Sequence, residues 1–348
     1  MEIMMGLKQI FVSMMFVVFS STPVFAQAGR ADHTGGVVFT ANETGNSISV
    51  TDPETGQVET TPVRITPHNL QISRDGRTLL AVGSQVGASH DMSKAMVSRG
   101  RLLVFSATAV SRGPIGDIEV GRMPAHVILD RQGARAFVTN ADDNTLAVID
   151  LKTRRIVKNV MVGTSPHGLR MSPDGRTIYV ANTGDGSVSV LRTDTLGVIA
   201  RIPVGKGPVQ VAFTSDGRRA YVTLRDENST VVIDTASRQV IAKVPVGPSP
   251  IQVFALPSGR EVYVANQGTE AAPGRTVSVI DTASQKVVAE IVTGAGPHGV
   301  VVSDSGNRVF IANTFANTVS IIDPSSHQVI RSIPVGAGPG GITFATTK

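Results

Sequence analysis

The chain has 348 residues, of which 41% are apolar and 17% charged, with a formal net charge of +5 and neither cysteine nor tryptophan. The apolar share is enough for a large core and argues against wholesale disorder. The missing thiols exclude a disulfide framework, thiolate metal sites, a cysteine nucleophile and a lipidated N-terminal cysteine.

The first expected element is an address. Lys8 precedes the apolar run Ile10 to Phe19, and Ser20-Ser21-Thr22-Pro23 leads to small residues at Val24, Ala26 and Ala28. A short apolar run with an A-x-A-like end is the pattern of a secretory signal peptide, and the flanks lack the stop-transfer pattern of a retained anchor. Residues 1–26 are therefore expected to be removed, with cleavage after Ala26 or alternatively after Ala28, giving a periplasmic protein. No later stretch reaches the roughly 18 apolar residues that a membrane helix needs, so no stable span is expected once the leader is gone.

The remainder, residues 27–348, repeats. The prolines Pro67, Pro124, Pro166, Pro208, Pro250, Pro297 and Pro339 each open an apolar alternation, at intervals of 57, 42, 42, 42, 47 and 42 residues. Within the unit from Pro166, His167 to Ser172 runs into the turn Pro173-Asp174-Gly175-Arg176. Thr177 to Asn182, Ser187 to Leu191 and Gly197 to Gly205 follow, separated by further polar turns. Four short alternating segments joined by Asp/Asn/Gly turns predict an antiparallel meander, the unit of a propeller blade. Six full units start at Pro67, Pro124, Pro166, Pro208, Pro250 and Pro297. The chain begins with three strands lacking a first (Val37 to Asn42, Ser47 to Asp52, Gln57 to Ile65) and ends with a first strand lacking the others (Gly341 to Phe344). Pairing these fragments completes a seventh blade and removes the open sheet edges. The expectation is an all-β fold: a seven-bladed β-propeller of four-stranded antiparallel blades, its ring closed by the C-terminal strand against the N-terminal three.

The tetrads Tyr179-Val180-Ala181-Asn182, Tyr221-Val222-Thr223-Leu224, Tyr263-Val264-Ala265-Asn266, Phe310-Ile311-Ala312-Asn313, Phe137-Val138-Thr139-Asn140 and Phe39-Thr40-Ala41-Asn42 resemble the motif that names the YVTN-family β-propeller repeats. Val-Gly and Pro-His-Gly elements stand beside them. The resemblance covers about Val37 to Phe344 and implies the propeller fold. The activities it implies are diverse: exported binding proteins, one of them reported to bind single-stranded DNA, accessory proteins of quinoprotein dehydrogenases, surface-layer proteins, and relatives of lactonases and of the haem-binding propeller of nitrite reductase. Fold likeness does not choose among them.

Strand direction in the meander places the loop before strand one and the turn between strands two and three on one face. His68, His167 and His298, directly after the anchor proline, are expected to ring the channel mouth. So are His126, one residue later in its unit, and Asn69, Gln210 and Gln252 at that later position. The long first interval puts an insertion at about 83–101, whose His90, Asp91, Met92 and Met96 would overhang the same mouth near Met123. The five extra residues at Gly268 to Gly274 read as a longer turn. A repeat-borne imidazole has several roles open: capping the preceding turn, bonding to the next blade, or holding a polar ligand, a metal or a haem. Thioethers beside imidazoles suit Cu(I) or an axial haem position, and equally a plain lid; the metal and the cofactor stay unspecified.

Asp52, Asp150, Asp234, Asp281 and Asp323 close strand three, which points to Asx-turn chemistry. Asn42, Asn140, Asn182, Asn266 and Asn313 similarly end strand two. Acidic residues in the mouth-face turns (Glu43, Asp142, Asp143, Asp185, Asp226, Glu227, Glu270) make Ca²⁺ conceivable, although no calcium-loop signature is present. There is no G-x-S-x-G, H-E-x-x-H or P-loop. Arginines from Arg74 to Arg308 gather at the turns between strands one and two, on the face opposite the histidines. Nucleic acid is nonetheless a poor fit, because stacking aromatics are lacking and the three tyrosines occupy strand positions. The reading is an exported, non-enzymatic propeller, expected to be a monomer, that binds a small ligand or protein partner at its mouth in support of a periplasmic redox or quinoprotein system. The alternative is a propeller enzyme, either a lactonase-like hydrolase or a haem- or metal-linked oxidoreductase component.

Overall fold

The computed structural model describes residues 35–86 and 99–346. The leader, His90, Asp91, Met92 and Met96 lie outside the described residues. Within them the chain forms seven four-stranded antiparallel sheets. Blade two comprises Ile65–Ile72, Thr78–Gln85, Arg99–Ser106 and Gly116–Arg122, and blade four Pro166–Met171, Thr177–Asn182, Ser187–Arg192 and Val198–Pro203. Blade one is the closing one: Pro339–Thr346 pairs with Gly36–Asn42 in the register Val38↔Phe344 and Thr40↔Ile342, followed by Ser47–Thr51 and Val58–Pro62. No helix among the described residues is long and apolar enough to cross a membrane.

The core is divided among the seams between blades. One cluster joins Tyr179, Val188 and Val190 of blade four to Val211, Val222 and Val231 of blade five, and the same arrangement recurs around the ring. Each inner strand sends its third residue after the proline (Leu70, Val127, Leu169, Val211, Val253, Val300, Ile342) into such a seam. A blade is thus apolar on both faces, and only closure of the ring leaves no apolar face without a partner.

The two irregular intervals prolong hairpins. In blade two the pairing continues to Ser84↔Gly100, so the ends of the expected insertion are strand. In blade six Gly268 pairs with Pro273 where a longer turn was expected. The strand-three aspartates make the anticipated turns: Asp150 accepts from Thr153 N at 2.6 Å and Asp281 from Ser284 N at 2.7 Å.

The strand-two asparagines do something different. Their amides are fully buried and brace the blade from inside, Asn182 Nδ2 donating to Ser187 Oγ and Ser189 Oγ at 3.0 Å. A close approach by the preceding loop follows: a Cβ on Gly247 would lie 2.5 Å from the Asn266 amide, which explains a glycine in the Val-Gly element.

Candidate functional site

Around the axis, the pairing of inner strand with second strand shifts register just after the anchor proline, between Pro166 and Leu169 and between Pro124 and Val127. In a regular strand, residues one and two places after the proline face opposite sides. The shift brings both to the axis. His68 and His167 occupy the first position and His126 the second, yet their rings meet: the centroids of His68 and His167 are 5.2 Å apart, those of His126 and His167 4.9 Å and those of His68 and His126 5.7 Å. His298 stands 6.3 Å from His68. Four blades therefore contribute imidazoles to one cluster.

The hydrogen bonds define its protonation. His167 Nδ1 faces Val209 O at 3.3 Å and His298 Nδ1 faces Gly340 O at 3.1 Å, so in both rings Nδ1 carries the proton. Both carbonyls belong to the next blade at the same repeat position. His68 Nδ1 turns instead to Glu43 Oε1 at 3.4 Å. Gln210 Nε2 reaches His126 Nδ1 at 3.4 Å, and His126 Nε2 is buried without a partner.

Burial and the neighbouring imidazoles hold His126 well below the ordinary range. Burial, then the charges of His68 and His298, push His167 to about 3. Burial followed by His68 takes His298 to about 4. His68 is pushed down by burial too, but its bond to Glu43 and that carboxylate's charge outweigh it and raise the group. Burial opposes ionisation of Glu43, and the histidines reverse that to lower its carboxyl.

Asn69, Gln210 and Gln252 lie with His126 beneath the other histidines, at the closed end of a channel of about 830 Å³. Asn69 Oδ1 accepts from Val127 N and Gln252 Oε1 from Val300 N, each bracing the next blade, while Gln252 Nε2 has no partner. The channel opens on the opposite face between turns that carry Arg74, Asp75, Asp130 and Arg131. Arg170 lies along it, its guanidinium 4.8 Å from the Phe254 ring and pushed down to about 10 by burial. Sequence reasoning missed Arg170, and it placed Glu43 on the mouth face without its bond to His68. A charged side chain at an inward strand position was the available sign of the first.

Several mouth-face acids pin the neighbouring loop that leads into their blade's first strand. Asp143 accepts from Arg122 N at 2.7 Å and Asp185 from Thr164 N at 2.8 Å, arrangements that do not converge on a cation. The three tyrosines are buried, so they offer no stacking platform.

A family model described as YNCE-like beta-propeller matches residues 169–261 and 255–346. No curated protein matches the sequence. Among solved structures, hydrazine synthase of Kuenenia stuttgartiensis is similar with a TM-score of 0.67 at 22% identity, over 79% of this chain and 88% of that one. A functionally unknown protein of Desulfotomaculum acetoxidans gives 0.73 at 14%, over 90% and 99%. A proposed 6-phosphogluconolactonase of Bacteroides uniformis gives 0.70 at 15%, over 89% and 100%. At these identities the likeness is one of fold.

Proposed function

The chain belongs to the YNCE-like β-propeller family, and from that premise we propose that it is an exported, non-enzymatic binding protein that captures a small ligand or protein partner at its channel mouth. The observation that carries this is the meeting of His68, His126, His167 and His298 from four blades at one end of the axis. A repeat position used merely to tie neighbouring blades needs one bond per seam, as His298 to Gly340 O supplies. Several imidazoles packed against one another, with a buried nitrogen left unpaired, represent polar surface that the ring does not require. Export rests on the leader pattern of residues 1–26, and a supporting role in a periplasmic redox or quinoprotein system on the family resemblance. The protein works as a monomer in this reading.

The test is capture from a periplasmic extract of the native host with the mature protein and with the His167→Ala/His298→Ala double variant. Loss of the captured species in a variant that melts as the wild type does supports the mouth. Equal capture by both forms removes it. N-terminal sequencing of the mature protein is expected to begin at Gln27; a chain retaining Met1 would end the export reading.

A further inference from the structure

We propose that the mouth is a transition-metal site, in which His68, His126 and His167 supply three imidazole nitrogens to a single divalent ion of the zinc or copper class, with Glu43 orienting the His68 ring. The proposal rests on the mouth being the binding site and names what binds there first.

The distances fit one ion. A nitrogen from each of the three rings lies within 4.8 Å of the other two, and the Nε2 atoms of His68 and His167 are 3.2 Å apart. Metal–nitrogen bonds of about 2.0–2.1 Å at a tetrahedral centre place two ligand nitrogens about 3.3 Å from each other. Rings packed this closely suit a bare ion between them and leave no slot for a macrocycle.

The protonation pattern points the same way. His167 must donate from Nδ1 to the Val209 carbonyl, and His68 turns Nδ1 to a carboxylate. As neutral rings, both then aim an Nε2 lone pair at the other across 3.2 Å. Two acceptors that close require a proton or a cation between them. His126, 3% exposed, adds a buried nitrogen with no partner.

Glu43 occupies a turn position that two other blades use to tie themselves to the next. At the equivalent turn position, Thr183 donates to Pro208 O at 2.7 Å and Thr314 to Pro339 O at 2.8 Å, each stitching its blade to the next anchor proline. A carboxylate cannot make that bond, and Glu43 sits against His68 instead. A carboxylate on the far nitrogen of an imidazole is the usual outer support of a metal ligand, fixing its tautomer and raising its basicity. Three neutral nitrogens with no oxygen among them select against Ca²⁺ and Mg²⁺ and for zinc or copper. His126 is the least prepared ligand, because Gln210 donates to its Nδ1. Coordination through Nε2 moves the proton to Nδ1 and turns that amide.

The experiment uses the mature protein purified without a histidine tag, freed of metal by chelation and titrated with Zn²⁺ and separately with Cu²⁺ by calorimetry, with metal content read by mass spectrometry. One equivalent is expected. His167→Ala should weaken binding at least about 100-fold and Glu43→Gln about 10-fold, whereas Gln210→Glu, which gives His126 a carboxylate, should tighten it about 10-fold. Co²⁺ added to the wild-type protein provides a readout free of any variant: intense tetrahedral d–d bands are expected, and weak octahedral ones, or none, overturn the site. So does uptake that His167→Ala leaves unchanged, which marks surface binding. Failure to bind either ion means that a shared proton bridges His68 and His167, and it overturns the metal alone. Partner capture that survives chelation yet is lost in the double histidine variant leaves the mouth reading standing, so the two failures are separable.

Discussion

Two sets of buried polar side chains recur in the repeats, asparagines in five blades and mouth histidines in four, and they behave differently. The strand-two asparagines bond inside their own blade: Asn42 to Ser47 and Ser49, Asn182 to Ser187 and Ser189, Asn313 to Thr318 and Ser320. The mouth histidines reach across seams to other blades, and in places only to one another. The first set braces five of the seven blades from within; Gly83 and Leu224 take its place in the other two. The second is available only once the ring has closed, and it differs from repeat to repeat: Ala125, Val209, Ile251 and Gly340 occupy the position that His68, His167 and His298 hold elsewhere. Buried polarity that recurs and bonds within its own blade belongs to stability, even where an amide oxygen is left over, as at Asn140, Asn266 and Asn313; buried polarity that varies and meets only across the closed ring is where binding should be sought.

The largest expected effect comes from breaking the first set. Asn182→Ala strands the Ser189 hydroxyl and the Gly163 N–H, which donates to Asn182 Oδ1 at 3.1 Å, while Ser187 keeps its bond to Asp185. Each orphaned buried group costs about 1–3 kcal/mol, and solvent entry recovers part, so a loss of about 3 kcal/mol is expected in urea unfolding with metal affinity unchanged. A loss below about 1 kcal/mol would erase the distinction. Gly247→Ala should cost about 2 kcal/mol by pressing a methyl into the Asn266 amide, which is the nearest group on every side. In an Asn266→Ala background the same substitution should cost clearly less, though not nothing, because the Cβ 2.9 Å away remains; additivity would show that the clash with the amide is not the cause.

The histidines should respond to acid instead. His167 and His298 titrate at about 3 and about 4 in the folded protein, below their unfolded value near 6.5. Between those limits the unfolded chain binds protons that the folded one refuses, so the metal-free protein should lose stability as pH falls from about 6.5 toward 4. His68 is raised and opposes this, its contribution fading as pH rises, but it is one group against three, since His126 is lowered as well. His167→Ala should flatten the acid limb of a plot of melting temperature against pH, and Asn182→Ala should shift the whole curve down without changing its shape. Parallel curves for all three proteins would refute the assignment.

Most of the fold was legible because a blade is specified locally. A 42-residue period, turn residues at fixed offsets and period-two alternation determine strands, blade count and closure before any long-range contact is known. The histidines were legible as a group, since four of them sit beside the anchor prolines. Their packing was not, because the register shift after the proline turns adjacent residues toward one axis, and alternation in the sequence gives no sign of a bulge. Glu43 was hidden for another reason: it lies in a turn where acids are common, at a position that varies from blade to blade (Ala141, Thr183, Arg225, Gln267, Thr314), so its pairing with His68 leaves no mark in the sequence. The inward turn of Asn182 and its counterparts was obscured by the frequency of asparagine at strand ends, which suggested turn chemistry.

The smallest expected effect is a control on the comparison itself. His327 is a histidine outside the cluster, in the turn before the outer strand Gln328–Pro334, where its Nε2 meets Glu261 Oε1 at 3.0 Å. It adopts a positive φ of 53°, a conformation that asparagine tolerates well, so His327→Asn removes the imidazole with little backbone strain. The contact is partly solvated, and its loss should cost below about 1 kcal/mol. Zinc and copper uptake should be the same as in the wild type. If this variant loses metal as His167→Ala does, then any imidazole on the molecule serves, the convergence of four blades on the axis is incidental, and the contrast between asparagines bonded within a blade and histidines that meet across the ring tells nothing about binding.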